Sequence, residues 1–410
     1  MEMTIYAWAP IDGKYHVAAR LIWDDTSEIG RFRYAPEWML RPGSYPLDPT
    51  NFPFSTAEKV VNENHGIPGV IADAGPDSWG RSVIVEAGAD VPRNEAEWVL
   101  HPRAVGTGVL RFSENADVLP DTRDAYPACT LEQLFEVAMA LATGGNIDPP
   151  MRQIMGAMSS LGGARPKALV IEDGKQYIAK FEKPNDPFNI PRVEAACLKA
   201  AERCGIETAK AHVVDIRPDR VALLVERFDR NAEGAPIHYL SARSLANIGR
   251  VRAGRDDVPP RGTATYQALA AYARQLGIPD AGREVLRRMV FNYLIGNTDD
   301  HLQNIGFLFE DGRWTFAPAF DLLPHPGDVH AIGIGPNGRQ RSLANLREGA
   351  AMFGLPGSEV EDIVGSVVEG LSCLDELMVA EGVIDRHRTV VRTRLSSLLT
   401  SSSELDVDRP

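Results

Sequence analysis

The stretch Gly296–Leu323, GNTDDHLQNIGFLFEDGRWTFAPAFDLL, constrains the fold most strongly. It has to begin at a helix end. Val285, Leu286, Met289, Val290, Tyr293 and Leu294 recur at helical spacing just before it, and Gly296 is placed to stop that helix. It then has to fold into a hairpin, because Ile305–Phe309 and Trp314–Phe316 read as two strands around Asp311-Gly312. Between helix and hairpin lie Asp299, His301 and Asn304, and just beyond the hairpin lies Asp321. A buried helix therefore delivers a polar loop, and a hairpin separates that loop from a further carboxylate.

Those residue types suit phosphoryl transfer. A hydroxyl attacking the γ-phosphate of ATP needs a carboxylate to orient it and take its proton, and oxygen ligands that hold Mg²⁺ against the phosphates. In protein kinases an Asp and an Asn, separated by four residues, supply the base and one metal ligand, and a later Asp supplies another. Asp299 and Asn304 have that spacing, and Asp321 follows in the right order. In isolation the pair carries little weight, since Asp and Asn are common in turns and caps. The rest of the chain has to supply the missing parts.

At 410 residues the chain is too long for one compact core, which predicts two or three domains. Residues 1–115 read as a strand-rich N-terminal domain. There Thr4–Trp8 and Tyr15–Trp23 flank Asp12-Gly13, Arg31–Tyr34 adds a strand, and PDSWGR at Pro76–Arg81 opens a short helix capped by Asp77 or Ser78. The Asp- and Pro-rich run Ser113–Pro127 reads as a linker. Residues 128–230 form a nucleotide-binding segment, 231–400 a mainly helical catalytic segment and 401–410 a polar tail. The four cysteines make no CxxC pair, which argues against zinc and for a reducing compartment. A net charge of −13 disfavours broad attraction to nucleic acid, and the arginine-rich runs Arg243–Arg261 and Arg339–Arg347 read as solvated surface. His325 and His330 could suggest a metal pair, but with no third ligand evident they read as turn histidines. Neither a signal peptide nor a bilayer-length apolar run is evident, so the expected location is cytoplasmic.

The segment 128–230 supplies candidates for holding a nucleotide. Thr130 caps an amphipathic helix carrying Leu131, Leu134, Phe135, Ala138 and Leu141. Ser159, Ser160, Gly162 and Gly163 make a small-residue loop whose backbone can approach phosphates closely, although it is neither a Walker A loop nor a GxGxxG. Ala168–Ile171 and Gln176–Phe181 form a hairpin about Asp173-Gly174. Lys180 stands in its second strand among apolar neighbours, either snorkelling from an edge or gripping ATP phosphates. Glu194 opens an alanine-rich helix soon afterwards and is placed to partner that lysine. A further hairpin, His212–Ile216 and Val221–Arg227, runs into VERFDR, where Glu226, Arg227 and Phe228 occupy the place of a hinge that meets adenine.

This succession of parts resembles the HipA family of bacterial serine/threonine kinase toxins from type II toxin–antitoxin modules. YAPEW at Tyr34–Trp38 and PDSWGR look like its N-terminal domain, SSLGGARPKA like its phosphate loop, and VERFDR like its hinge. GNTDDHLQN and AFDLLP look like its catalytic loop and metal motif. The resemblance implies an α+β, two-lobed protein-kinase-like fold with a strand-rich N-terminal domain and a mainly helical C-terminal lobe. It implies Asp299 as catalytic base, Asn304 and Asp321 as Mg²⁺ ligands, and Ser160, Gly162, Gly163, Lys180, Glu194, Glu226, Phe228 and His301 around ATP. Ser160, beside Ser159, is the implied autophosphorylation site. The implied partners are a DNA-binding HipB-like antitoxin, operator DNA reached mainly through it, and a translation-related protein substrate such as an aminoacyl-tRNA synthetase. The chain departs from some members in carrying LSARSLANI and the Arg250–Gly262 loop where acidic and Gly-Gly signatures stand. Two other functions use the same residues: a kinase-shaped co-repressor bound with an antitoxin on DNA, and a kinase for a small molecule.

Overall fold

The computed structural model describes residues 1–88, 91–102, 106–120, 129–155, 165–249, 262–325 and 327–402. They divide into two compact units. The first comprises Met1–Lys180, Glu226–Val258 and Gly306–Phe316, and the second Phe181–Val225, Pro259–Ile305 and Ala317–Pro410. The stretch Gly296–Leu323 is thus shared: its hairpin belongs to the first unit, and Asp299, Asn304 and Asp321 to the second.

In the first unit, five antiparallel strands form a sheet in the order Lys59–Val61, Ile29–Tyr34, Lys14–Asp24, Glu2–Ile11, Arg111–Ser113. Ile11 pairs with Lys14, so Asp12 and Gly13 alone make the first turn, both at positive φ (49° and 73°). That turn twists in the same sense as the strands, and Asp-Gly reaches it at little cost. The same device closes Lys167–Glu172 onto Lys175–Phe181 at Asp173-Gly174, and Gly306–Glu310 onto Arg313–Phe316 at Asp311-Gly312. His238–Ser241 pairs with Gly306–Glu310 and completes a three-stranded sheet.

The helix Ser78–Ala87 shows what PDSWGR does. Asp77 caps it, accepting the Gly80 N–H at 2.7 Å. The Trp79 indole donates to Lys167 O at 3.0 Å, and Lys167 Nζ lies 3.7 Å from Asp77 Oδ2. Both charged side chains are nearly excluded from water, where pairing is what makes burial tolerable. The motif therefore grips the start of the strand Lys167–Glu172.

The second unit is mainly helical. Asn189 caps Ile190–Arg203 by accepting the Arg192 N–H at 3.0 Å, with Pro191 in the first turn. Ten of its fourteen residues are buried, Glu194 among them at 1 % exposure, because small alanines let neighbours close in on every side. Ala281–Ile295 is the central helix, with twelve of fifteen residues buried. Tyr266–Gln275, Leu343–Ala351, Gly357–Leu371 and Asp385–Ser402 pack around it. A helix buried on all sides must satisfy its polar groups internally. Arg288 does so by donating to Glu284 at 2.7 Å and to Ala317 O at 3.1 Å. Among the described residues no helix is long and apolar enough to cross a membrane.

Candidate active site

The central helix ends at Gly296, at φ 69°. A Cβ there would stand 2.8 Å from the Arg341 guanidinium, which itself donates to Tyr293 O at 3.2 Å. The left-handed dihedral favours glycine, while the end of the Arg341 side chain could shift to make room. The loop that follows is closed by Asn304. Its Nδ2 donates to Asp299 O at 3.2 Å, and its backbone N–H donates to His301 O at 2.9 Å across the short turn Leu302–Asn304. With the amide nitrogen engaged, Oδ1 is the end that Asn304 has to offer a ligand.

Asp299 keeps its carboxylate about half exposed between two imidazoles. His301 Nε2 lies 3.9 Å from Oδ1, and His325 Nε2 lies 3.9 Å from Oδ2. Neither contact is a hydrogen bond at that distance. Asp321 is half-buried at φ 57°, a left-handed conformation that Asp adopts more readily than most non-glycine residues. The chain leading to it is pinned, because Ala319 N–H donates to Glu207 O at 2.8 Å and Ala209 N–H donates to Ala319 O at 2.9 Å.

The donor chemistry suits Mg²⁺. Asn304 and Asp321 bring oxygen donors, and among the described residues no group of three or more His, Cys, Asp or Glu could close an all-protein metal cage. Mg²⁺ commonly takes one or two carboxylates from protein and completes its shell with phosphates and water.

Asp300, the neighbour of Asp299, points the other way and is 2 % exposed. Its Oδ2 accepts from Tyr266 OH at 2.6 Å and from His330 Nδ1 at 2.8 Å, and its Oδ1 accepts the Ala331 N–H at 2.8 Å. Burial, and then the charge of Asp300, push the Tyr266 hydroxyl well above the usual phenol range and keep it a donor. Tyr266 OH in turn accepts from Asn292 Nδ2 at 2.9 Å, and Asn292 Oδ1 accepts from Asn297 Nδ2 at 3.0 Å. The sequence assigns no role to Asp300, Tyr266 or Asn292. The only trace of this network in the sequence is the Asp299-Asp300 doublet, which does not say which member is buried.

The remaining candidates are distributed as follows. Lys180, half-buried, lies in the strand Lys175–Phe181 opposite Lys167. Both oxygens of Glu226 lie 3.0 Å from Lys175 Nζ, so this carboxylate is engaged with protein. The Arg227 N–H donates to Gln176 O at 2.9 Å. The Phe228 ring stands 6.3 Å from that of Tyr239. Asp229, just beyond, accepts from Arg227, Arg230 and the Gly108 N–H at 2.8 to 3.0 Å. Burial pushes its pKa up, but the two arginines and these hydrogen bonds outweigh burial and hold it below the usual carboxylate range. VERFDR is thus internally braced by a buried ion-pair cluster. Ser160, Gly162 and Gly163, with Ser159, lie outside the described residues.

Residues 159–372 match the model of the HipA-like C-terminal domain family. A Haemophilus influenzae protein named "Putative kinase" is 26% identical over 186 residues, covering 41% of this chain and 54% of the relative. "Putative kinase Y4dM" of Sinorhizobium fredii is 31% identical over 166 residues, 37% of either chain. This chain therefore spans about half or less of the length of those two relatives. The serine/threonine-protein kinase toxin HipA of Shewanella oneidensis is 23% identical over 335 residues, covering 74% of this chain and 72% of the relative. A solved structure of the Shewanella oneidensis MR-1 toxin–antitoxin system, HipA and HipB with operator DNA, superposes with a TM-score of 0.71 at 19% identity over 98% of this chain and 97% of that one. That likeness shows the α+β, kinase-like fold. The family match spans just over half of the 410 residues and contains every candidate from Ser160 to Asp321, and the chain belongs to the HipA family.

Proposed function

We propose that this chain is an ATP- and Mg²⁺-dependent serine/threonine protein kinase, the toxin of a toxin–antitoxin pair. The observation that carries this reading is the closed Asp299–Asn304 loop. The Asn304 amide secures the backbone of Asp299 while the Asp299 carboxylate stays accessible. In this role Asp299 orients the acceptor hydroxyl and takes its proton, and Asn304 Oδ1 and Asp321 hold Mg²⁺. The bound metal neutralises charge on the transferring phosphoryl group.

On the nucleotide side, Lys180 grips the phosphates and Glu194 orients it. Burial of the Glu194 carboxylate supports this, since a buried carboxylate calls for a cationic or hydrogen-bonded environment. Ser160, Gly162, Gly163 and His301 are assigned to binding the phosphates, and Glu226 and Phe228 to binding adenine. Ser160 is the site of autophosphorylation. Two negative charges there would repel ATP from the phosphate loop and restrain activity.

The family supports a HipB-like, DNA-binding antitoxin as partner, with operator DNA reached mainly through it. The acceptor in this reading is a protein hydroxyl, on a translation-related target such as an aminoacyl-tRNA synthetase. The test is transfer of labelled phosphate from ATP to a serine-containing protein by the native chain and by Asp299→Asn. Loss of the base is expected to cost on the order of 100-fold or more. Equal incorporation by both proteins would remove Asp299 from the mechanism, and transfer only to small molecules would replace the protein acceptor.

A further inference from the structure

We infer that Asp300 is a positioning residue, which locks the Asp299 loop and the segment after Asp321 into one rigid piece through Tyr266 and His330. The inference rests on Asp299 being the base.

The contacts form a single connected clamp. Asp300 receives three hydrogen bonds: Tyr266 OH comes from the start of helix Tyr266–Gln275, and His330 Nδ1 and Ala331 N–H from the segment beyond Asp321. The side chains of Asp300 and His330 are both fully excluded from water. A second stitch joins the same two segments, His325 N–H donating to Gly296 O at 2.9 Å. Asp321 therefore lies in a chain whose continuation is fastened at residues 325 and 330–331 to the loop that carries Asp299. Tyr266 passes the constraint onward to Asn292, in the central helix. Its own backbone N–H donates to Gly333 O at 3.0 Å.

The carboxylate is suited to this role in a way that an amide is not. Two oxygens accept all three donors. In Asp300→Asn the single amide oxygen can serve Tyr266 and His330, but the amide nitrogen then faces the Ala331 N–H, donor against donor. The substitution therefore preserves volume and most of the network while loosening the link to residue 331. Catalysis is sensitive to such a change, because a displacement of about 1 Å at a reacting group can cost on the order of 100-fold in rate.

The experiment compares kcat for phosphotransfer, the Kd for ATP and thermal melting in native protein, Asp300→Asn, His330→Asn and His330→Ala, with Asp299→Asn alongside. For Asp300→Asn the expected result is a kcat lowered about 100-fold with the ATP Kd within about twofold of native. His330→Asn retains a donor near the position of Nδ1 and should recover most of the activity that His330→Ala loses. If Asp299→Asn is inactive while Asp300→Asn turns over at the native rate, the clamp is refuted and the base assignment stands. If Asp299→Asn is as active as native protein, the base assignment has failed first. Equal kcat for the two His330 variants would show that the imidazole only fills space, which also overturns the inference.

Discussion

His238 offers a quantitative test of the first unit. Its ring is buried at 2 % exposure, between Tyr45 at 5.2 Å and Trp314 at 5.5 Å. Nε2 lies 2.8 Å from Leu47 O, and Nδ1 has no hydrogen-bond partner. The neutral imidazole with its proton on Nε2 fits this site, and a second proton does not. Burial accordingly moves the pKa from 6.5 down to about 4. As pH falls through 6.5 the unfolded chain takes a proton that the folded chain refuses until near 4, so His238 removes stability on acidification. At about 1.4 kcal/mol per unit, the gap amounts to about 3 kcal/mol in full, most of it lost by about pH 4.5.

Asp48 works in the opposite sense. It is 1 % exposed, and burial raises its carboxyl from 3.8 to about 6 despite hydrogen bonds from Asn51 and Thr50. The folded state then holds a proton that the unfolded state has lost, so this contribution is present below 3.8 and disappears as pH rises through about 6, a span worth about 3 kcal/mol. The two groups nearly cancel in the native protein. His238→Gln keeps a donor for Leu47 O and removes the titration. Urea denaturation followed by tryptophan fluorescence, at about pH 7.5 and about pH 4.5, should show its stability relative to native protein improving by about 2–3 kcal/mol on acidification. Parallel losses in the two proteins would refute the buried neutral imidazole.

Other substitutions separate chemistry from folding. Asp321→Asn suits the same left-handed backbone, so its melting temperature should match native while Mg²⁺-dependent phosphotransfer drops at least about tenfold. Chelation of Mg²⁺ should abolish transfer by the native protein, and added Mg²⁺ should restore it. Lys180→Met should raise the Kd for ATP by about tenfold or more in a calorimetric titration, through loss of a charge-assisted contact to phosphate. Asp229→Ala removes the carboxylate that balances Arg227 and Arg230 and should cost about 3–5 kcal/mol in denaturant melts, reflecting a structural role for the end of VERFDR.

The sequence alone determined the local features. Asp-Gly at residues 12–13, 173–174 and 311–312 specified three tight hairpins, because that dipeptide enters two successive positive-φ positions cheaply. Helical periodicity and Gly296 specified the central helix and its end, and the spacing of Asp299, Asn304 and Asp321 specified a candidate site. Tertiary structure decided what depends on distant neighbours. It turned Asp300 inward and Asp299 outward, buried Glu194, and set Glu226 on Lys175. It also paired His238–Ser241 with the hairpin beyond the Asp299 loop, and made PDSWGR a grip on Lys167. The physical reason is that φ preference and periodicity act within a few residues, whereas the cost of burying a polar group is settled by partners brought from elsewhere in the chain. For Asp300 those partners are Tyr266, 34 residues before it, and His330, 30 residues after it.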